Sequence, residues 1–399
     1  MVAQDGALSD MPMQVLFVEP VGGHRGMHYY DVELCAALQA AGLDPIWLTC
    51  DETARTEIPA SLKVVYPFQG IYGDAPKLLR GLRYLRGLAR IGPGSRPRAK
   101  NLFHFHYFLF PPIDYMYLRV LRAARRPIVL TAHDVVPFDA RRRDLIWLRR
   151  LYHLADQIIV HAHANREVMI QTFGVDSGAA HVIPMGPYLQ WAGQHILPAA
   201  DARQRLGLDP ERPVLLFFGQ IKRVKGLQHL IRAFRLVADQ HPTVQLVIAG
   251  PEWKEPFADY AALIGRWNLS DRVHTRIEYV PDGELGWYYS AADVVVLPYT
   301  EVYQSAVLYM AYSFERPVVA SAVGGLAEVV RDGETGLLVP PADPPALAKA
   351  LLRLLGDLDL ARQMGRQGKH LVETEFSWSA IAKRTAEVYA HALAIRKRA

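Results

Sequence analysis

Short apolar runs alternate with stretches of helical periodicity along almost the whole chain. In the first half, runs at 13–18, 44–49, 63–66, 101–105, 128–132, 157–161 and 181–184 read as strands. Helical spacing fills 27–41, 76–90, 144–154 and 163–172 between them, and Gly42 stops the first of these helices. The second half repeats the alternation. Strands are predicted at 214–218, 244–249, 273–277, 294–297, 318–320 and 337–339, and helices at 227–240, 260–267, 283–291, 305–314, 346–355 and 359–373. A last helix follows Phe376-Ser-Trp-Ser, and 324–326 and 332–333 read as tight turns. Continuous apolar strands between amphipathic helices predict parallel sheets covered on both faces. The expected class is therefore α/β, with two Rossmann-like, doubly wound parallel-sheet domains facing each other across a cleft. Prolines and glycines in 187–211 mark a linker, which places the domains at 1–186 and 212–375.

Three places in this pattern carry candidate chemistry. The first is LPYTEVYQSAVLYMAYSFERPVVAS, 297–321, which reads as strand, polar loop, helix, strand. Ligands of open parallel sheets bind at the carboxyl ends of strands, and a helix start favours phosphate through its unpaired N–H groups. The alternative is an ordinary connection that binds nothing. The second is the turn from Gly219 to Gly226, where Lys222, Arg223 and Lys225 precede a helix. Three cations there would stabilise a diphosphate leaving group, unless they form a solvated basic turn. The third is a set of histidines at strand ends: His104 and His106, and His133 beside Asp134. Such a histidine orients a reacting sugar or serves as a hydrogen-bonded structural residue. The glycines at 22, 23 and 26 permit close backbone approach but do not make GxGxxG, and Asp51 is a faint echo of a ribose-binding acid.

Charge changes the picture in one segment. Residues 71–150 hold 17 Lys and Arg against five Asp and Glu, whereas the rest of the chain holds 28 against 35. A basic segment in an otherwise mildly acidic protein predicts an anionic partner. The helix at 76–90 concentrates the effect. Leu78, Leu82, Leu85 and Ala89 share one face, and Arg80, Arg83, Arg86 and Arg90 fall largely on another. Such a helix either lies on an anionic membrane surface or packs its leucines on the domain core. Nucleic acid is not expected, because basic residues and aromatics do not interleave. With 51% hydrophobic and 21% charged residues, and no apolar run of bilayer-spanning length, the chain reads as a globular protein with large cores. The first twelve residues lack the basic start and apolar core of a secretory signal, and Cys35 and Cys50 are too few for a disulfide framework. A reduced, cytoplasmic setting is expected. There is no CxxC or HExxH, so no metal site is expected.

Longer segments carry a resemblance. YVPDGELGWYYSAADVVVLPY (279–299), PVVASAVGGLAEVVRDGETGLLVPPADPPALAKAL (317–351), FSWSAIAKRTAEVYAHAL (376–393) and FFGQIKRVKGL (217–227) resemble the retaining GT-B glycosyltransferases of family four, glycosyl transferases group 1. GG at 22–23, LTAHD at 130–134 and VIPMG at 182–186 match more loosely. The resemblance implies a GT-B fold whose second domain binds a nucleotide sugar and whose first receives the acceptor, with 376–399 crossing back to the first. It implies a metal-independent hexosyltransferase that needs no resident cofactor, uses a UDP- or GDP-linked sugar and retains the anomeric configuration. The implied acceptor is a saccharide or lipid-linked sugar near the cytoplasmic membrane, in bacterial-type exopolysaccharide or lipopolysaccharide synthesis. By position, Lys225 matches the family lysine at the diphosphate and His133 the histidine near the transferred sugar. Gly22 and Gly23 match the loop under the donor phosphates, and Glu278, Tyr279 and Val280 lie where the base is held. Gln220, after Gly219, stands where the family has arginine, so Lys222 or Arg223 must substitute. Val302 and Met310 occupy the positions of two family glutamates, with Glu301 one residue off the first. The phosphate grip then rests on Gln304, Ser305 and the N–H groups of Ala306 and Val307. Ala306 and Glu315 stand where that pattern has glycine. The loss of both glutamates also suits a non-catalytic member that binds a sugar nucleotide or acts as a scaffold.

Overall fold

The computed structural model describes residues 13–22, 28–53, 58–92, 101–137 and 140–398. The chain forms two units, Met1–Pro184 with Trp378–Ala399, and Met185–Ser377. In the first unit the elements are β1 (Gln14–Val18), α1 (His28–Ala40), β2 (Asp44–Cys50), β3 (Lys63–Phe68), α2 (Lys77–Ile91), β4 (Asn101–Phe105), α3 (Pro111–Ala123), β5 (Ile128–Thr131), α4 (Arg142–Tyr152), β6 (Gln157–Val160), α5 (His163–Phe173) and β7 (Ala180–Val182). The second unit holds α6 (Leu189–His195), α7 (Ala199–Arg205), β8 (Val214–Phe218), α8 (Leu227–Gln240), β9 (Gln245–Ala249), α9 (Ala258–Arg266), β10 (Val273–Arg276), α10 (Asp282–Ala291), β11 (Val294–Leu297), α11 (Ala306–Ser313), β12 (Val318–Ser321), α12 (Gly324–Val329), β13 (Gly336–Val339), α13 (Pro344–Gly356) and α14 (Leu358–Thr374). The last helix, α15 (Trp378–Arg398), belongs to the first unit.

Each unit is one parallel sheet. The first runs β3-β2-β1-β4-β5-β6-β7, the second β10-β9-β8-β11-β12-β13. Both sheets turn outward from their first strand, so β1/β4 and β8/β11 are topological switch points, where α/β sheets bind ligands. The central strands are largely apolar because helices cover both faces, whereas the edge strands β3 and β10 carry exposed polar residues. Phe17, Leu102, Val129, Leu216, Ile248 and Val296 are all fully buried. Helix α8 buries Leu227, Leu230, Ile231, Phe234, Val237 and Ala238 at helical spacing against its own sheet. Asp343 caps α13 by accepting from the Ala346 N–H at 3.0 Å, with Pro344 at the first helical position. Among the described residues no helix is long and apolar enough to cross a membrane.

Helix α15 is fastened to the first sheet by polar contacts. Arg396 pairs with buried Asp156 at 2.9 Å, Tyr389 meets His104 at 2.8 Å, and Arg384 Nη2 donates to the Val182 carbonyl at 2.6 Å.

Four expectations are revised. Helix α3 is not among the expected helices; it starts on Pro111-Pro112, and the first turn of a helix tolerates proline because its N–H groups have no intrahelical partner. The segment 187–211, expected as a linker, forms α6 and α7 within the second unit. There Arg203 pairs with Asp293 at 2.7 Å and donates to Ala291 O and Pro210 O. The glycines at 324–325 open a short helix, α12, rather than a bare turn. The leucine face of α2 does not pack on the core. Leu78, Leu82 and Leu85 are 78%, 55% and 46% exposed, whereas Gly81, Tyr84, Gly87, Leu88 and Ile91 are buried.

Candidate functional site

At the switch point of the first unit, the chain leaves β1 through Glu19 and a turn at Gly22. The Glu19 carboxylate, fully buried, accepts from the Val21 N–H at 2.8 Å and the Gly22 N–H at 2.7 Å. Gly22 has φ +62°, and a Cβ there would sit 2.5 Å from Thr53 Oγ1 and 2.6 Å from Cys50 Sγ. Glycine is thus required twice over, by conformation and by space. Gly23 lies outside the described residues. Sequence reasoning missed Glu19, although an acid that ends an apolar strand is a usable signal.

Three histidines follow the three neighbouring strands β4, β5 and β6, and the sheet brings them into one chain. His161 Nδ1 lies 2.8 Å from the Ile183 carbonyl, which can only accept, so that nitrogen carries the proton. His161 Nε2 is then bare and accepts from His133 Nδ1 at 2.9 Å. His133 Nε2 accepts in turn from His106 Nδ1 at 3.2 Å, which also lies 3.3 Å from Asp31 Oδ1. Burial lowers the pKa of all three rings, that of His161 to about 4 and those of His106 and His133 well below 6.5. Burial, then the Glu19 charge, raises the Asp31 carboxyl. The histidine chain is therefore neutral at pH 7, with one tautomer running through it. Tyr107 stacks on His133 at 5.3 Å and Tyr30 meets it edge-on at 5.1 Å. The expected site residue His133 is thus buried with both ring nitrogens engaged, while Asp134 beside it is exposed. Among the described residues these side chains form no metal-holding group.

His104 is separate and structural, held between Thr131 Oγ1 at 2.7 Å and the Tyr389 hydroxyl at 2.8 Å. Burial lowers its pKa to about 3. The unfolded chain takes up this proton near pH 6.5 and the folded chain does not, so stability present above pH 6.5 is lost as pH falls towards 3. Between pH 7 and pH 5 the loss is about 2 kcal/mol. His104→Gln should therefore lose about 2 kcal/mol less than the parent over that range in urea unfolding of this unit; equal losses would refute a neutral His104.

In the second unit the loops after β8 and β11 are locked together. The Thr300 N–H donates to the Val224 carbonyl at 2.9 Å, and a Cβ on Gly226 would lie 1.8 Å from Pro298 O. Gly219, at φ +107°, lets the first loop pass; a Cβ there would touch Val307 at 3.6 Å. Lys225 Nζ lies 3.8 Å from the centre of the buried Tyr299 ring, whose hydroxyl is 3.3 Å from Ser305 Oγ. Ser305 precedes α11, and its hydroxyl makes no capping bond to that helix. Ala306 is exposed and Val307 half-buried at the helix start. Gln304 Oε1 is buried with no hydrogen-bond partner among the described residues. The loop's other side rests on α12, where the Gly325 N–H donates to Tyr303 O at 3.2 Å.

The three cations do not converge. Lys225 alone stands over Tyr299. Lys222 lies over Trp253 at 5.1 Å. Arg223 is exposed and lies on the side of Tyr260, whose phenol burial pushes up to about 12 against the opposing Arg223 charge. Residues 223–225 form a 3-10 turn, which sends consecutive side chains in different directions. Gln220 is half-buried after Gly219. Past β10, Glu278 pairs with Arg276 at 2.9 Å, Tyr279 is exposed with its hydroxyl on Asp282, and Val280 is buried. Glu301 is exposed, and Val302 backs onto Gly324, where a Cβ would meet its carbonyl at 1.8 Å. Met310 is buried in α11 and presents no charge. Glu315 has φ +56°, a conformation that favours glycine, and its carboxylate pairs with Lys369 at 2.8 Å.

Two parallel sheets with candidate sites at their switch points define a doubly wound α/β protein, and known proteins say of which family. Residues 24–189 match the sequence profile of Glycosyltransferase Family 4, and residues 212–357 that of Glycosyl transferases group 1. The chain is 29% identical over 404 residues to D-inositol 3-phosphate glycosyltransferase of Streptomyces bingchenggensis, covering 93% of this chain and 86% of that one. It is 32% identical over 285 residues to alpha-maltose-1-phosphate synthase of Mycolicibacterium smegmatis, covering 66% and 72%. Its fold matches sucrose-phosphate synthase from Thermosynechococcus elongatus with TM-score 0.76 at 26% identity, over 96% of this chain and 100% of that chain. It also matches Anabaena HepE in complex with UDP and glucose, with TM-score 0.72 at 20% identity, over 95% and 99%. The chain belongs to glycosyltransferase family four and has the GT-B fold of two Rossmann-like domains.

Proposed function

We propose that the protein transfers a hexose from a UDP- or GDP-linked donor to a saccharide or lipid-linked acceptor near a membrane, in bacterial-type glycan synthesis, with retention and without a metal. The observation that carries this reading is Lys225. It is a cation without an ion-pair partner among the described residues, poised over Tyr299 beside Ser305 and the start of α11. A diphosphate seated there meets the ammonium, the Ser305 hydroxyl, Gln304 and the first N–H groups of α11. As the bond from the anomeric carbon to the diphosphate breaks, the growing negative charge falls on these groups. The acceptor hydroxyl bonds to the anomeric carbon on the face the diphosphate leaves, and its proton passes to a diphosphate oxygen. With both ring nitrogens taken by His106 and His161, neutral His133 holds its loop rigidly and is not free to act as a proton donor. The phosphorylated acceptors and products in the relatives' names favour a polar, hydroxyl-rich acceptor.

Val302 and Met310 favour a second reading, donor binding without transfer. The two separate on one experiment. The protein is incubated with UDP- and GDP-sugars and lipid or saccharide extracts, with chelator present. Sugar transfer that survives chelator, with the product anomer matching the donor by NMR, is the expected result. Nucleotide binding with neither hydrolysis nor transfer on any donor would overturn the transferase reading.

A further inference from the structure

Helix α2 presents two exposed rows rather than one. Leu78, Leu82, Leu85 and Ala89 form the apolar row that the core leaves uncovered. Arg83, Arg86 and Arg90 form a second row about a quarter of the helix circumference away. The helix carries no acidic residue in 77–91. The arginine row lines an open pocket of about 310 Å³ whose other lining residues are Pro67, Gln69 and Gly70. Arg83 Nη1 donates to the Gly70 carbonyl at 2.8 Å, which fixes one guanidinium at the cavity wall. Among the described residues none of these three arginines has a carboxylate partner, and Asp51, the nearby acid, is held by the Gly70 N–H at 3.1 Å. Arg80 is different: its Nε donates to the Ile71 carbonyl at 2.7 Å and pins the turn. Helix α3, beside α2 where Gly81 faces Ile113, adds exposed Met116 and Val120.

An arginine-walled cavity fits a phosphate, and a row of exposed leucines beside it fits an acyl boundary. We propose that α2 docks this domain on an anionic phospholipid bilayer, with a lipid phosphate in the cavity of Arg83, Arg86 and Arg90 and with Leu78, Leu82 and Leu85 entering the interface. The proposal rests on the membrane-proximal reading of the acceptor for its purpose, but its chemistry is independent of the donor site. A nucleic acid would use the arginines and leave the leucines idle, which is why the bilayer is favoured. Each basic residue near an anionic surface strengthens binding about fivefold, and buried leucine adds the apolar part.

The test is sedimentation of the full chain with phosphatidylcholine vesicles, with and without phosphatidylglycerol. Binding to the anionic vesicles that weakens with salt, and none to pure phosphatidylcholine, is expected. Arg83→Glu/Arg86→Glu/Arg90→Glu should weaken it about a hundredfold or more. Leu78→Ser/Leu82→Ser/Leu85→Ser should weaken it about tenfold or more while leaving donor hydrolysis in solution unchanged. All six side chains are exposed, and circular dichroism and melting temperature confirm that the variants fold. No binding of the parent chain to anionic vesicles, or equal binding by either triple variant, overturns the proposal. So does binding of inorganic phosphate or a single-stranded oligonucleotide in the absence of vesicle binding. Vesicle binding without donor turnover would instead defeat the transferase reading and leave the docking surface standing.

Discussion

Lys225→Ala should lower the rate of sugar transfer, or of donor hydrolysis, about a hundredfold to a thousandfold, the cost of removing one group that meets charge as it develops. Donor affinity should change far less. On the proposed reading the ground-state diphosphate also meets Ser305, Gln304 and the start of α11, whereas leaving-group charge grows only as the bond breaks. The neighbouring cations cannot replace the ammonium, because Lys222 lies over Trp253 and Arg223 is exposed on another side of the turn. The stability cost should be small. The Lys225–Tyr299 contact is worth about 1 kcal/mol, so the variant should melt within a few degrees of the parent. Single-turnover rates, calorimetry with UDP and GDP, and a thermal melt separate chemistry, binding and folding. A rate within threefold of the parent, with an unchanged melt, would remove Lys225 from the chemistry. A large loss of affinity with the rate preserved would make it a binding group only.

Much of this arrangement was legible before the structure, for a physical reason. A parallel strand buried on both faces reads as an unbroken apolar run, so 14–18, 101–105 and 294–297 stand out whatever their partners. The loops at their carboxyl ends follow from that reading, which is why Gly22, His133, Lys225 and Ser305 were candidates. What stayed hidden depends on direction in space. Periodicity placed the leucines of α2 on one face but not which face meets the sheet; Tyr84, Leu88 and two glycines occupy that side instead. Spacing grouped Lys222, Arg223 and Lys225, yet a 3-10 turn disperses them. The histidine chain was half visible. His106, His133 and His161 each follow a strand, and the strands β4, β5 and β6 are neighbours in the sheet. Strand order converts residues far apart in sequence into a hydrogen-bonded row, and a sequence does not print strand order.

Gly226→Ala should cost the second unit about 3 to 5 kcal/mol, within the range of large core substitutions, and should disable the donor site at temperatures where the variant is still folded. Two effects add. Gly226 has φ +67°, a left-handed conformation that costs a side-chain-bearing residue about 1 kcal/mol. Steric overlap costs more: a Cβ would lie 1.8 Å from the Pro298 carbonyl oxygen, and a backbone atom cannot rotate aside as a side chain can. Relief requires the loops after β8 and β11 to part. Parting breaks the Thr300 to Val224 hydrogen bond and lifts Lys225 from Tyr299, so the proposed phosphate cradle is lost with the packing. Gly333 supplies the control within the same unit. It has φ +77°, and a Cβ there would meet nothing within 4 Å. Gly333→Ala should therefore show only the conformational cost, about 1 kcal/mol. Urea unfolding of both variants measures the difference directly. Equal costs would mean that the two loops do not approach as closely as described, and donor turnover retained in Gly226→Ala would mean that their contact does not shape the site.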